Sequence, residues 1–242
     1  MEADVDWAVI ECAVGSSEHI PTILTELTSK DEGVRERAFM TLAHDLAWNE
    51  NVYEATPYAI CQIVHTLANV DTPDPTLMLT LLRRLGNAES SHPEVIQWRG
   101  APIQLARLCR QLLEAHLDLY INFLEDPKSR VGALDVITSF RLNAAEAEEA
   151  LEQAMKRETS RPRRIELTEG ISDLQEWNQE PQVTDKPPLP GEYLEEKLAR
   201  RRDVAKSIAE LRSGKATPVA VNPFSTLRSR FIGVVMRTLR RD

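Results

Sequence analysis

A chain of 242 residues with 42% hydrophobic side chains has apolar material for one sizeable folded domain, which excludes a disordered chain. Aromatics make up 5% and there are nine glycines, which argues against a sheet-rich fold and for a core of Leu, Ala, Ile and Val carried on helices. The net charge of −9 is uneven: residues 1–80 hold 14 acids against 3 Lys+Arg, whereas residues 195–242 hold 12 basic against 5 acidic. An acidic N-terminal third repels phosphate backbones and attracts basic surfaces, so nucleic acid is not an expected partner.

The start, MEADVD, is acidic and lacks the apolar centre of a secretory signal. The longest apolar run, 231–236, is too short to span a bilayer. A cytoplasmic protein without a membrane partner is expected, and Cys12, Cys61 and Cys109 then read as reduced thiols in apolar helical contexts.

In chain order, residues 4–14 read as a first helix, because Trp7, Ile10 and Val14 recur at helical spacing and Asp4 can cap. A second helix covers 18–27, with Pro21 tolerated in its first turn. Asp31 caps a third over 32–47, followed by a polar break at 48–51. Thr56-Pro57 starts the next helix, and the turn 71–75 precedes another over 76–85. Residues 86–100 read as a long irregular loop, 101–124 as a long helix with a kink, and Asp126-Pro127 as the start of a helix reaching Phe140. Asn143 caps a helix to Arg157, and Ser160 opens one to Trp177. Four prolines mark 178–191 as a linker, and 192–242 as a C-terminal helical extension. Its last helix, 224–241, combines an apolar face with five arginines and is expected to cap the helical array.

Two segments overlay. Asp31, Arg35, Ala38 and Leu42 fall at the same offsets as Asp126, Arg130, Ala133 and Ile137. In each, Asp caps the second helix of a hairpin, Arg one turn in bonds across the hairpin, and Ala permits close approach. The pattern resembles the HEAT repeat, with weaker copies from Asp74 and from Ser160, and a period of about 40 residues fits that resemblance. Over about residues 5–85, Trp7, the turn VGSS, the helix IPTILTEL, the Asp31/Arg35/Ala38 pattern and VYEAT occur in an order similar to that of a group of bacterial HEAT-repeat proteins. The resemblance implies an all-α fold, a HEAT-like α-solenoid of helical hairpins over residues 1–177, and protein binding. It carries no catalytic residues.

No phosphate loop, G-x-S-x-G, H-E-x-x-H or C-x-x-C occurs. The five histidines are scattered, and neither His44-Asp45 with His65 nor Cys109 with His116 has a spacing that makes a metal site or a catalytic pair. No catalytic residue, metal, cofactor or small-molecule substrate is expected. The partner-binding candidates are Arg37, Thr41, His44 and Asp45 on the second helix of a hairpin, with Trp48, Glu50, Tyr53 and Glu54 on the neighbouring rim. An aromatic anchor ringed by acids suits a basic protein surface. The expected function is that of an immunity protein that binds and neutralises a bacterial toxin domain. A scaffold or adaptor is the alternative, and a HEAT-like DNA glycosylase using Trp48, Trp98 and Trp177 the third. Tyr53 and Glu54 have a second role open to them, pinning the connection between helices.

Overall fold

Pro21 lies in the first turn of helix α1 (Ile20–Glu26), where a missing N–H breaks no helical bond. The computed structural model describes residues 5–68, 72–88 and 95–179. Asp31 then accepts from the Val34 N–H at 3.1 Å and caps α2 (Glu32–Ala47), with the boundaries its pattern predicts. Helix α3 (Thr56–Leu67) follows, and Asp74 caps α4 (Pro75–Asn87) through the Leu77 N–H. The rest are α5 (Leu105–Glu114), α6 (Leu117–Phe123), α7 (Arg130–Ile137), α8 (Ala144–Arg157) and α9 (Arg161–Gln179). The fold is all-α, with nine α-helices among the described residues and two short strand pairs, β1 (Glu11–Cys12) with β2 (Gly15–Ser16) and β3 (Val95–Trp98) with β4 (Ala101–Gln104).

The packing follows chain order. Helices α1 and α2, α3 and α4, α6 and α7, and α8 and α9 pair as hairpins. Their second helices touch in the sequence α2, α4, α7, α9, their first helices touch as α1 with α3 and α6 with α8, and α5, outside the four pairs, packs on α3 and α4. One apolar core lies between the two rows and runs from Cys12 to Leu174. No single helix could bury its stripe alone.

The two repeat segments are alike in contacts as well as in letters. Arg35 donates to the Ser29 carbonyl at 2.8 Å and to that of Lys30 at 3.1 Å. Arg130 donates to the Leu124 carbonyl at 2.9 Å, six residues back as in the Arg35–Ser29 bond. Each guanidinium thus satisfies a carbonyl at the turn entering its own helix. Ala38, Ala133, Leu42 and Ile137 are all buried. Arg35 also lies 3.7 Å from Asp74, the cap of α4, which links the first hairpin to the second.

Close approach is set by glycine. A Cβ on Gly170 of α9 would stand 2.9 Å from Leu134, 3.0 Å from Thr138 and 3.4 Å from Leu151. Gly170→Leu is therefore expected to cost about 1–3 kcal/mol through overpacking, read as a lower urea midpoint.

Several predicted elements differ. Residues 4–14 do not form a helix: the described part is a run of turns leading into β1, and Gly15 at φ +109° closes the β1–β2 pair. Its backbone groups are taken by distant partners. The Ala13 N–H donates to the Asp45 carbonyl at 2.8 Å, and the Glu11 carbonyl accepts from Ala55 at 3.0 Å. The loop at 86–100 holds β3, and the first residues of the helix predicted over 101–124 are β4, joined to β3 by Arg99 (φ +51°) and Gly100 (φ +83°). Two successive positive φ values are what the type I′ form of a two-residue hairpin requires. The expected kink falls between α5 and α6, at Ala115 and His116.

Asp126 does not open α7 itself. It closes the preceding turn, accepting from Ser129 Oγ at 2.7 Å, and the helix begins at Arg130. Asn143 precedes α8 but its side chain makes no cap bond. The carboxylate of Glu114 takes that place from the end of α5, accepting the backbone N–H groups of Arg141, Leu142 and Asn143. The last described helix reaches Gln179, two residues into the expected linker. The remainder of that linker and the extension at 192–242 lie outside the described residues. No helix among the described residues is long and apolar enough to cross a membrane.

Candidate functional site

Asp45 occupies the last turn of α2, and the structure corrects its expected place on a partner-facing surface. It is 4% exposed. Its Oδ2 lies 2.7 Å from His19 Nε2 and its Oδ1 2.7 Å from His44 Nδ1. An ionised carboxylate only accepts, so both imidazoles present N–H groups to it, which fixes the tautomer of each neutral ring. His19 comes from the residue just before α1, and His44 from one position before Asp45 on α2. The His44 ring lies against Trp48, with centroids 4.2 Å apart.

Cys12, on β1, completes the group. Its sulfur and the facing atoms of His19 and Asp45 all lie within 4.8 Å of one another. Burial pushes the Cys12 thiol above its ordinary value; a backbone hydrogen bond at Val14 opposes this, and the charge of Asp45 adds to it. Its Sγ donates to the Ser16 carbonyl at 3.5 Å, not to an imidazole. That upward shift runs opposite to the lowered pKa of an activated thiol. The three cysteines carry no disulfide; Cys12 and Cys109 are buried and Cys61 is half-buried.

The other predicted contact residues divide. Arg37 is exposed, Thr41 is half-buried and donates to the Arg37 carbonyl at 3.0 Å, and Trp48 is 38% exposed. Trp48 opens the 3-10 turn Trp48–Glu50, in which Asn49 has φ +50°. Glu50 ends that turn, and its side chain lies outside the described residues. Tyr53 and Glu54 are half-buried. Glu54 Oε2 accepts from the Glu11 N–H at 3.3 Å, so this acid ties the N-terminal segment to the stretch before α3.

Thr56 serves the same connection. Its buried hydroxyl donates to the Leu46 carbonyl at 2.7 Å and accepts from the Tyr53 N–H at 3.0 Å. Thr56→Val removes the hydroxyl that serves both backbone groups and is expected to cost about 1–2 kcal/mol, read in thermal and urea denaturation.

A second polar feature lies on the row of second helices. Arg83 and Asn87 of α4, Asp135 of α7, Arg141, and Asp173 and Glu176 of α9 line an open cleft of about 440 Å³. Arg83 pairs with Asp135 at 3.1 Å. Burial raises the Asp135 carboxyl above its ordinary value; Arg83 opposes the shift and Asp173 adds to it. Two guanidinium groups and three carboxylates make this a mixed surface, not an acidic one.

Sequence reasoning missed both the cleft and the gathering of Cys12 and His19 at Asp45. Comparison with protein-family models, with curated proteins and with solved structures returned no match.

Proposed function

We propose that this chain is a non-catalytic, protein-binding array of helical hairpins of the HEAT-like kind, and that its partner lies along the row α2, α4, α7, α9. The cleft on that row carries the proposal. It is open, spans three helices and offers charges of both signs, which suits the polar rim of a protein partner better than a small substrate. Its three carboxylates oppose a phosphate backbone, which weighs against the glycosylase alternative.

The balance of charge favours an adaptor over an immunity protein, because neutralising a basic toxin domain calls for an acidic face. A narrower observation supports the immunity alternative: the first hairpin exposes Glu18, Glu26, Asp31, Glu32 and Glu36. The test is affinity purification with the full chain, at low and high salt, beside a variant carrying Arg83→Glu and Asp173→Lys. Reversal of both signs is expected to weaken capture about tenfold or more if the cleft is the contact. Equal recovery by the variant places the contact elsewhere. A single basic partner lost from a variant with Glu32→Lys and Glu36→Lys, and kept by the cleft variant, moves the conclusion to toxin neutralisation.

A further inference from the structure

We propose that Cys12 Sγ, His19 Nε2 and Asp45 Oδ2 form a three-ligand site for a divalent transition-metal ion of zinc's class. The site brings three segments together: β1, the residue before α1, and the last turn of α2. One ligand atom from each of the three residues lies within 4.8 Å of the others, and His19 Nε2 faces Asp45 Oδ2 at 2.7 Å, close enough for one ion to meet all three after small side-chain adjustments. The donor set is one sulfur, one imidazole nitrogen and one carboxylate oxygen. A thiolate disfavours magnesium and calcium, and the mixture suits zinc and cobalt.

Support for the ligands is already built. The second oxygen of Asp45 is held by His44 Nδ1 at 2.7 Å, and His44 is backed by the Trp48 ring, so the carboxylate is oriented from behind. The Asp45 side chain is 6% exposed but that of His19 is 38% exposed, which leaves an entry path from solvent on the imidazole side. Three protein ligands leave the fourth tetrahedral position to water.

The protons balance simply. On binding the ion, His19 Nε2 gives up the proton it presents to Asp45, and the neutral ring carries its proton on Nδ1. Cys12 gives its S–H proton to solvent. A thiolate, a carboxylate and a neutral imidazole then carry two negative charges against the two positive charges of the ion. No oxidation or reduction is involved.

The test uses the full chain, reduced, stripped with a chelator and titrated with Co²⁺. A thiolate-to-cobalt charge-transfer band in the near ultraviolet, with visible bands of tetrahedral intensity that Zn²⁺ abolishes, is the expected result. Both signals should persist in Cys61→Ser and disappear in Cys12→Ser and His19→Gln. Absence of the charge-transfer band from folded wild-type protein overturns the proposal. So does a band kept by Cys12→Ser or lost from Cys61→Ser. Far-ultraviolet circular dichroism checks each variant; if Cys12→Ser does not fold, His19→Gln, altered at a half-exposed side chain, decides, and a band it retains overturns the site.

Discussion

Glu114→Ala is expected to lower the stability of the fold by about 3–5 kcal/mol, measured as the loss of unfolding free energy in urea. The side chain is buried at the end of α5, and its two oxygens accept from the N–H groups of Arg141 at 3.0 Å, Leu142 at 3.2 and 3.0 Å, and Asn143 at 2.7 Å. These groups lead into α8, whose own cap residue contributes no side-chain bond. Alanine would remove the acceptor shared by three backbone donors, each worth about 1–3 kcal/mol when buried, and water takes back part of that because Arg141 and Leu142 are half-buried and Asn143 is exposed. Glutamine keeps one acceptor but turns an amide N–H₂ towards donors, so Glu114→Gln should fall between alanine and wild type. Burial pushes the Glu114 carboxyl above its ordinary value of 4.5, although the three backbone N–H groups pull it down. A folded pKa above the unfolded one means that the folded state holds the proton more tightly. Its contribution to stability is then full below about 4.5, falls as pH rises through the raised folded value, and is level above it. Wild type should therefore lose stability relative to Glu114→Gln over that window. A relative gain with rising pH would contradict the direction of the shift.

Asp45→Ala should cost about 2–4 kcal/mol in the same assay. It removes two charge-assisted bonds at 2.7 Å from a carboxylate that is 6% exposed at its side chain. The upper end of the usual range for breaking a buried pair does not apply, because the side chains of His19 and His44 are 38% and 43% exposed and regain water. The loss should concentrate in the N-terminal segment, which leans on α2 through this group and through the Ala13–Asp45 backbone bond. Amide exchange should accelerate at Ala13 more than in α7. Uniform acceleration would show that Asp45 supports the whole fold instead.

The helices were legible where local signals agree. Asp31 and the apolar spacing after it set both ends of α2; the shared arginines do bond, each at the turn entering its own helix, but the cap expected of Asp126 does not form. The first segment was misread because Trp7, Ile10 and Val14 carry a helical period while partners over forty residues away, Glu54 and Ala55, take up the backbone of Glu11. The β3–β4 pair had a signal in Arg99-Gly100 between two short apolar runs, overshadowed by the Leu-rich helix that follows. At the site, the predicted set contained His44 and Asp45 but not Cys12 or His19. Their convergence depends on how β1 docks beside α2, which no spacing along the chain encodes. Asp45 read as a surface acid because it falls outside the apolar stripe of Val34, Ala38, Leu42, Ala43 and Leu46.

The two arginines that close their own turns bear on the order of events in folding. Each bridges only a few residues, from Arg35 back to Ser29 and from Arg130 back to Leu124. Such bonds can form before any distant part of the chain has arrived, with little loop entropy to overcome. Glu114 is different, because its partners lie 27–29 residues further on. Folding should therefore begin at the Arg35 and Arg130 turns as two separate seeds, with the fourth hairpin joining late. Arg130→Ala would then slow refolding, whereas Glu114→Gln would mainly speed unfolding.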